Sequence, residues 1–173
     1  MKKLGANGMK VLKTCHLLLV MMWVVGVIAM AVLFLLKPES GDELYMTLRI
    51  ILFVDYVFVM PGALLTILVG IIYGIYTNWG FFKHRWIIVK WIASIAIILV
   101  GTFYFSPPLE HACEIADSTR DAALRNPMVT SDMTHAFFIA CVESIAIIIL
   151  VVISVFKPWK KKKQANKNES IKI

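Results

Sequence analysis

The stretch "TLRIILFVDYVFVMPGALLTILVGIIYGIY", residues 47–76, decides the fold. It holds two charged side chains, Arg49 and Asp55, in an otherwise apolar run. A bilayer core about 30 Å thick needs roughly 20 apolar residues per helical crossing, so this stretch spans a membrane with residues to spare. Pro61-Gly62 lies near its middle. Proline removes a backbone donor and crowds the preceding turn, so a kink is expected there. Such breaks persist in membrane helices where neighbouring protein satisfies the freed carbonyl.

Working outward, three more apolar runs of spanning length lie at about 14–36, 86–106 and 135–156. The chain is 60% apolar and 17% charged, against about a quarter charged in soluble domains. The fold expected is therefore all-α, an integral membrane four-helix bundle forming a single domain over 1–157, followed by a basic tail over 158–173. The basic head "MKKLGANGMKVLK" suggests a signal peptide, yet the apolar run after it is too long and no small-residue cleavage motif closes it. It reads as a retained first helix.

Lysine and arginine set the orientation. Lys2, Lys3, Lys10 and Lys13 precede helix 1, Lys83 and Arg85 lie between helices 2 and 3, and a lysine-rich segment follows helix 4 from Lys157. Lys37, Arg49, Arg120 and Arg125 fall on the opposite side with most of the acids. The positive-inside rule then places both termini in the cytoplasm. The net charge of +7 sits in these flanks and suits anionic lipid headgroups. No nucleic-acid module is recognisable, and nucleic acid is excluded as a partner. Cys15, Cys113 and Cys141 are scattered, and a Cys113–Cys141 disulfide would need the outer loop to fold back into the bundle.

Helix 1 ends at "LLKPESGDELY", residues 35–45, where Pro38 and Gly41 stop it. The short inner turn "TNWGFFKHRW", residues 77–86, predicts an antiparallel hairpin of helices 2 and 3. The outer connection after helix 3 is the longest. Its Leu109, Ala112, Ile115, Ala116, Ala122 and Ala123 recur at helical spacing, predicting a short surface helix that Asn126-Pro127 would end.

Ionisable groups inside a membrane usually face a bundle interior, so their spacing marks each helix's inward side. His16, Trp23, Gly26 and Met30 share one face of helix 1; Asp55, Gly62, Thr66, Gly70 and Tyr73 one of helix 2; Trp86, Lys90, Ser94 and Gly101 one of helix 3; Glu143, Ile147 and Ser154 one of helix 4. Depth, at about 1.5 Å per residue, then separates two polar levels. His16 and Lys90 lie within a turn of the cytoplasmic boundary, while Asp55 and Glu143 lie deeper, toward the outer side.

At the inner level, His16 can ligate a metal or haem iron and Lys90 can pair with a propionate or a quinone oxygen; the alternative is an interfacial histidine and a lysine that snorkels to the headgroups. At the outer level, two carboxylates in low dielectric call for a shared proton or a bound cation, the alternative being two protonated acids bonded to neighbouring helices. His111 and His135, with Glu110 or Cys113, match no strong metal motif and read as exposed loop residues. Methionines 21, 22, 30 and 60 are soft copper ligands in principle and ordinary packing residues otherwise.

The segments "LKTCHLLLVMMWVVG", "MPGALLTILVGIIYG" and "WIIVKWIASI" share a pattern: a histidine opening helix 1 followed by Trp-x-x-Gly, Pro-Gly in helix 2, and Trp-x-x-x-Lys entering helix 3. This resembles a broad group of bacterial four-helix membrane proteins that contains the copper-resistance protein D domain, the HemJ-type protoporphyrinogen oxidase and related predicted integral membrane proteins of unknown function. The resemblance covers helices 1 to 3 and implies a multi-pass protein of the bacterial plasma membrane. It further implies haem b associated with His16 and Lys90, with Trp23 and Trp86 beside them and Lys90 in the catalytic role if the protein is a membrane oxidoreductase. The stretch "AVLFLLKPES" stands where the oxidase carries an arginine- and tyrosine-rich segment. Together with Asp55 and the long acidic outer loop, it points to the uncharacterised relatives. Three functions follow as expectations: a haem- or quinone-associated redox protein, a non-enzymatic carrier of protons or a metal cation such as copper using Asp55 and Glu143, and a structural subunit. Self-association into a homo-oligomer stays open.

Overall fold

The computed structural model describes residues 4–77, 80–81 and 84–157, and the tail expected over 158–173 lies outside them. The described chain is all-helical, with four helices long and apolar enough to cross a membrane: α1 (Ala6–Leu33), α2 (Gly41–Tyr76), α3 (Arg85–Arg125) and α4 (Pro127–Phe156). They alternate in direction. The Leu4 amide donates to the Tyr76 carbonyl at 3.2 Å, tying the start of α1 to the end of α2. The Lys157 ammonium lies 5.7 Å from the Trp86 ring, bringing the end of α4 to the start of α3. We call this the terminal side and the opposite end the distal side.

The apolar runs identified all four helices but understated their lengths. A membrane-length count sees residues in contact with lipid, whereas helical hydrogen bonding continues wherever caps and packing support it. α4 begins at Pro127 rather than near 135, because the Asn126 side chain accepts from the Met128 amide at 2.9 Å as an N-cap. α2 begins at Gly41, where Ser40 accepts from the Glu43 amide and the Glu43 carboxylate accepts from the Glu39 amide, a variant of the capping box.

The expected end of helix 3 near residue 106 is corrected. The helix runs on through Ser106–Thr119 and closes in a 3₁₀ turn, Arg120–Arg125. The predicted surface helix is thus the continuation of α3, not a separate cap. Of its foreseen apolar face, Leu109, Ala112, Ala116 and Ala123 are buried and Ile115 is half-buried, whereas Ala122 is exposed.

Both proline breaks are handled alike. A π-turn, Asp55–Val59, precedes Pro61, and another, Gly101–Phe105, precedes Pro107 and Pro108. The wider turn makes room for a ring that would crowd the preceding carbonyl.

Small residues let the helices approach. A Cβ on Gly62 would lie 3.0 Å from the Trp23 backbone nitrogen, so α1 and α2 touch nearly backbone to backbone. On the distal side the Gly41 amide donates to Asp121 Oδ1 at 2.7 Å, and the Arg120 guanidinium sits 4.0 Å over the Tyr45 ring. Arg120 adopts φ 46°, turning its backbone against Gly41, where a Cβ would lie 2.1 Å from the Arg120 carbonyl carbon. This clamp joins the start of α2 to the end of α3. α2 and α3 run antiparallel, as the expected hairpin requires. They pack together at the distal side, but among the described residues their terminal-side halves do not pack closely backbone to backbone. Trp91 reaches part of the way across, its ring 3.4 Å from where a Gly70 Cβ would be.

Candidate functional site

Among the described residues, two cavities correspond to the two polar levels. The larger, about 520 Å³, is on the terminal side and takes residues from all four helices. It is lined by His16 and Trp23 of α1, Thr66 and Tyr73 of α2, and Trp86 and Lys90 of α3, with Ile147 and Leu150 of α4 closing the back. The structure thus brings together all four residues expected at the inner level. The volume falls within the usual range of about 300–1,000 Å³ for small-molecule sites.

His16 is half-buried, and its Nδ1 has no hydrogen-bond partner among the described residues. The Tyr73 ring meets it edge-on, with centroids 5.5 Å apart. Lys90 lines the same cavity from α3. The Thr66 hydroxyl is buried and also unpartnered. Buried polar atoms normally have partners, so two orphans on residues that line one cavity mark it as a place for something else. The charge of the lining is one-sided: Lys10, Lys13, Lys90 and Lys157 contribute to it, and no aspartate or glutamate does among the described residues.

The smaller cavity, about 270 Å³, lies distal to the first and has the opposite character. Asp55, Glu143 and Ser106 line it. All three are buried, Glu143 being only 4% exposed. The Ser106 hydroxyl donates to Asp55 Oδ2 at 3.0 Å and also lies 3.3 Å from the Gly101 carbonyl oxygen. Glu143 Oε1 lies 3.2 Å from where a Gly101 Cβ would be and has no hydrogen-bond partner among the described residues. Gly101 therefore gives the carboxylate its space. Each π-turn delivers one member of this group: Asp55 opens the first, and Ser106 follows the second. Trp23 lines both cavities and forms their common wall.

The chain was compared with family models, curated proteins and solved structures. None matched.

Ser106 escaped the sequence reading for a definite reason. In an α-helix the residues sharing Gly101's face recur at three and four, and position 106 is five away. The π-turn lengthens the repeat to five and brings Ser106 round to the same face. Glu110, at i+4 from Ser106, is contacted by the Tyr56 hydroxyl, a distal pairing that spacing did not suggest either. Among the other candidates, His111 bonds Asp132 at 2.7 Å, and both lie on helices rather than in a loop. No cluster of three or more His, Cys, Asp or Glu suited to a metal occurs among the described residues. Cys15, Cys113 and Cys141 are free thiols. Met30 is buried in the core while Met21 is exposed, so these methionines do not converge on one site.

Proposed function

We propose that the protein is a haem-associated redox protein of the bacterial plasma membrane, with both termini in the cytoplasm, that binds an anionic, planar, largely apolar ligand in the larger cavity. One observation carries this reading: a histidine with an unpartnered ring nitrogen lines an apolar cavity whose lining, among the described residues, holds four lysines and no acid. Haem b suits that donor set. His16 would hold the iron through a ring nitrogen, Lys90 would pair with a propionate, and Lys10, Lys13 and Lys157 bring further positive charge to the lining. Trp23 and Trp86 give flat walls to a flat ring. When bound, haem supplies one-electron chemistry. The chain's contribution is to orient the ring through His16, neutralise its carboxylates through lysines and exclude water with indole and aliphatic walls. A neutral quinone would leave the surplus positive charge unanswered, so haem is favoured over it.

The test is an absorption spectrum of protein purified in detergent after expression with ample haem. A Soret band is expected, lost in His16→Ala and weakened severalfold in occupancy in Lys90→Gln. A colourless wild-type protein overturns the haem assignment, and a quinone recovered in its lipid extract would transfer the cavity to that ligand.

A further inference from the structure

The smaller cavity calls for an occupant of its own, independent of the ligand in the larger one. Two carboxyl groups face it from different helices, and no lysine, arginine or histidine lines it among the described residues. Taking carboxylates out of water without a positive partner is prohibitive, so something must neutralise them. A hard metal ion is poorly served. Calcium takes six to eight oxygens, and magnesium demands near-ideal octahedral geometry. Here the lining side chains with oxygen are Asp55, Glu143, Ser106 and Thr102, and one Asp55 oxygen already accepts from Ser106. A proton needs one oxygen. Glu143 Oε1 is buried, unpartnered and set beside the space that Gly101 leaves.

We propose that Asp55 and Glu143 form a proton-binding pair that exchanges with the distal face through Ser106 and Glu110. The titratable groups around the pair can be named element by element. α2 contributes Tyr56 beside Asp55, α3 contributes Glu110, α4 contributes Glu143 itself, and α1 presents Trp23, which does not titrate. The order Glu110, Ser106, Asp55, Glu143 runs from an exposed carboxylate to a fully enclosed one. Ser106 is suited to relay because its hydroxyl both donates and accepts. It donates to Asp55, and Glu110 follows it by one helical turn on α3.

The experiment is pH-difference infrared spectroscopy on the full chain in lipid nanodiscs. The wild type is expected to show a protonated carboxyl carbonyl band at neutral pH that disappears reversibly as pH rises. Asp55→Asn and Glu143→Gln, which keep size and shape, should each change it, and the double variant should lose it. Ser106→Ala, which keeps both carboxyls, should slow the band's decay after a pH jump severalfold. No titrating band in the wild type, or an unchanged band in the double variant, overturns the proposal. Loss of the band at constant pH on adding sodium or calcium would reassign the site to a metal cation, and an unchanged rate in Ser106→Ala would overturn the route.

Discussion

Gly62→Ala tests the closest approach in the bundle. The added carbon would lie 3.0 Å from the Trp23 nitrogen and 3.3 Å from its Cα, whereas non-bonded carbons settle at about 3.5–4.0 Å. The obstacle is backbone, so α1 and α2 must separate by about 0.5 Å or more, and overpacking of this kind costs about 1–3 kcal/mol. Alanine also gains about 1 kcal/mol of helix propensity over glycine, which hides part of that cost. Gly70→Ala is the control, since it gains the same propensity while its new carbon meets only the Trp91 ring at 3.4–3.5 Å, an ordinary contact. The difference between the two variants is therefore the quantity to read. Gly62→Ala should be the less stable by about 1–3 kcal/mol, roughly 5- to 150-fold in the ratio of folded to unfolded protein. Reversible unfolding in mixed micelles, followed by tryptophan fluorescence, measures it. Equal stabilities would refute the claim that α1 and α2 touch through their backbones at this level.

Trp23→Ala should merge the two cavities and cost about 3–5 kcal/mol; in whatever fraction folds, the Soret band and the titrating carboxyl band should both change, whereas Val25→Ala, on the exposed side of α1, should leave both alone. Gly41→Ala drives a carbon into the Arg120 backbone and should open the distal clamp, seen as faster amide exchange at 41–45 and 119–125 with the terminal-side helices unaffected. Asp121→Ala removes the acceptor for the Gly41 amide and should open the same segment more mildly, at about 1–3 kcal/mol for the stranded donor.

Much of this architecture could be read from residues 47–76 and the three runs like it, because bilayer thickness fixes helix length and each buried polar residue marks an inward face. Trp23, Asp55, Thr66, Ser94 and Glu143 were all assigned inward from spacing, and all are buried. The grouping of His16 with Lys90 and of Asp55 with Glu143 followed from depth alone, since rise per residue is constant. What could not be read was anything requiring a departure from 3.6 residues per turn. The apolar run stops near 106, just before Pro107-Pro108, and the π-turn that lets the helix continue through them has no signature in apolar periodicity. Ser106 was hidden by the same turn. The Gly41–Asp121 bond joins residues 80 positions apart, and no local pattern announces such a pairing. The opposite charge of the two cavities was also illegible, because it depends on which lysines the fold turns toward a common space.

The paired π-turns also place a limit on how this chain can change in length. Each residue of an α-helix turns the chain by about 100° and advances it by about 1.5 Å. Losing one residue from 55–59 would therefore swing the whole distal part of α2 round and draw it back, carrying Gly41 away from Asp121. α3 carries the second wide turn at 101–105, on the antiparallel helix of the same clamp. Losing a residue from either turn alone misaligns the clamp; losing both would restore the axial level but not the facing, because both distal halves rotate in the same sense, and it would dissolve the turns that present Asp55 and Ser106 to one another.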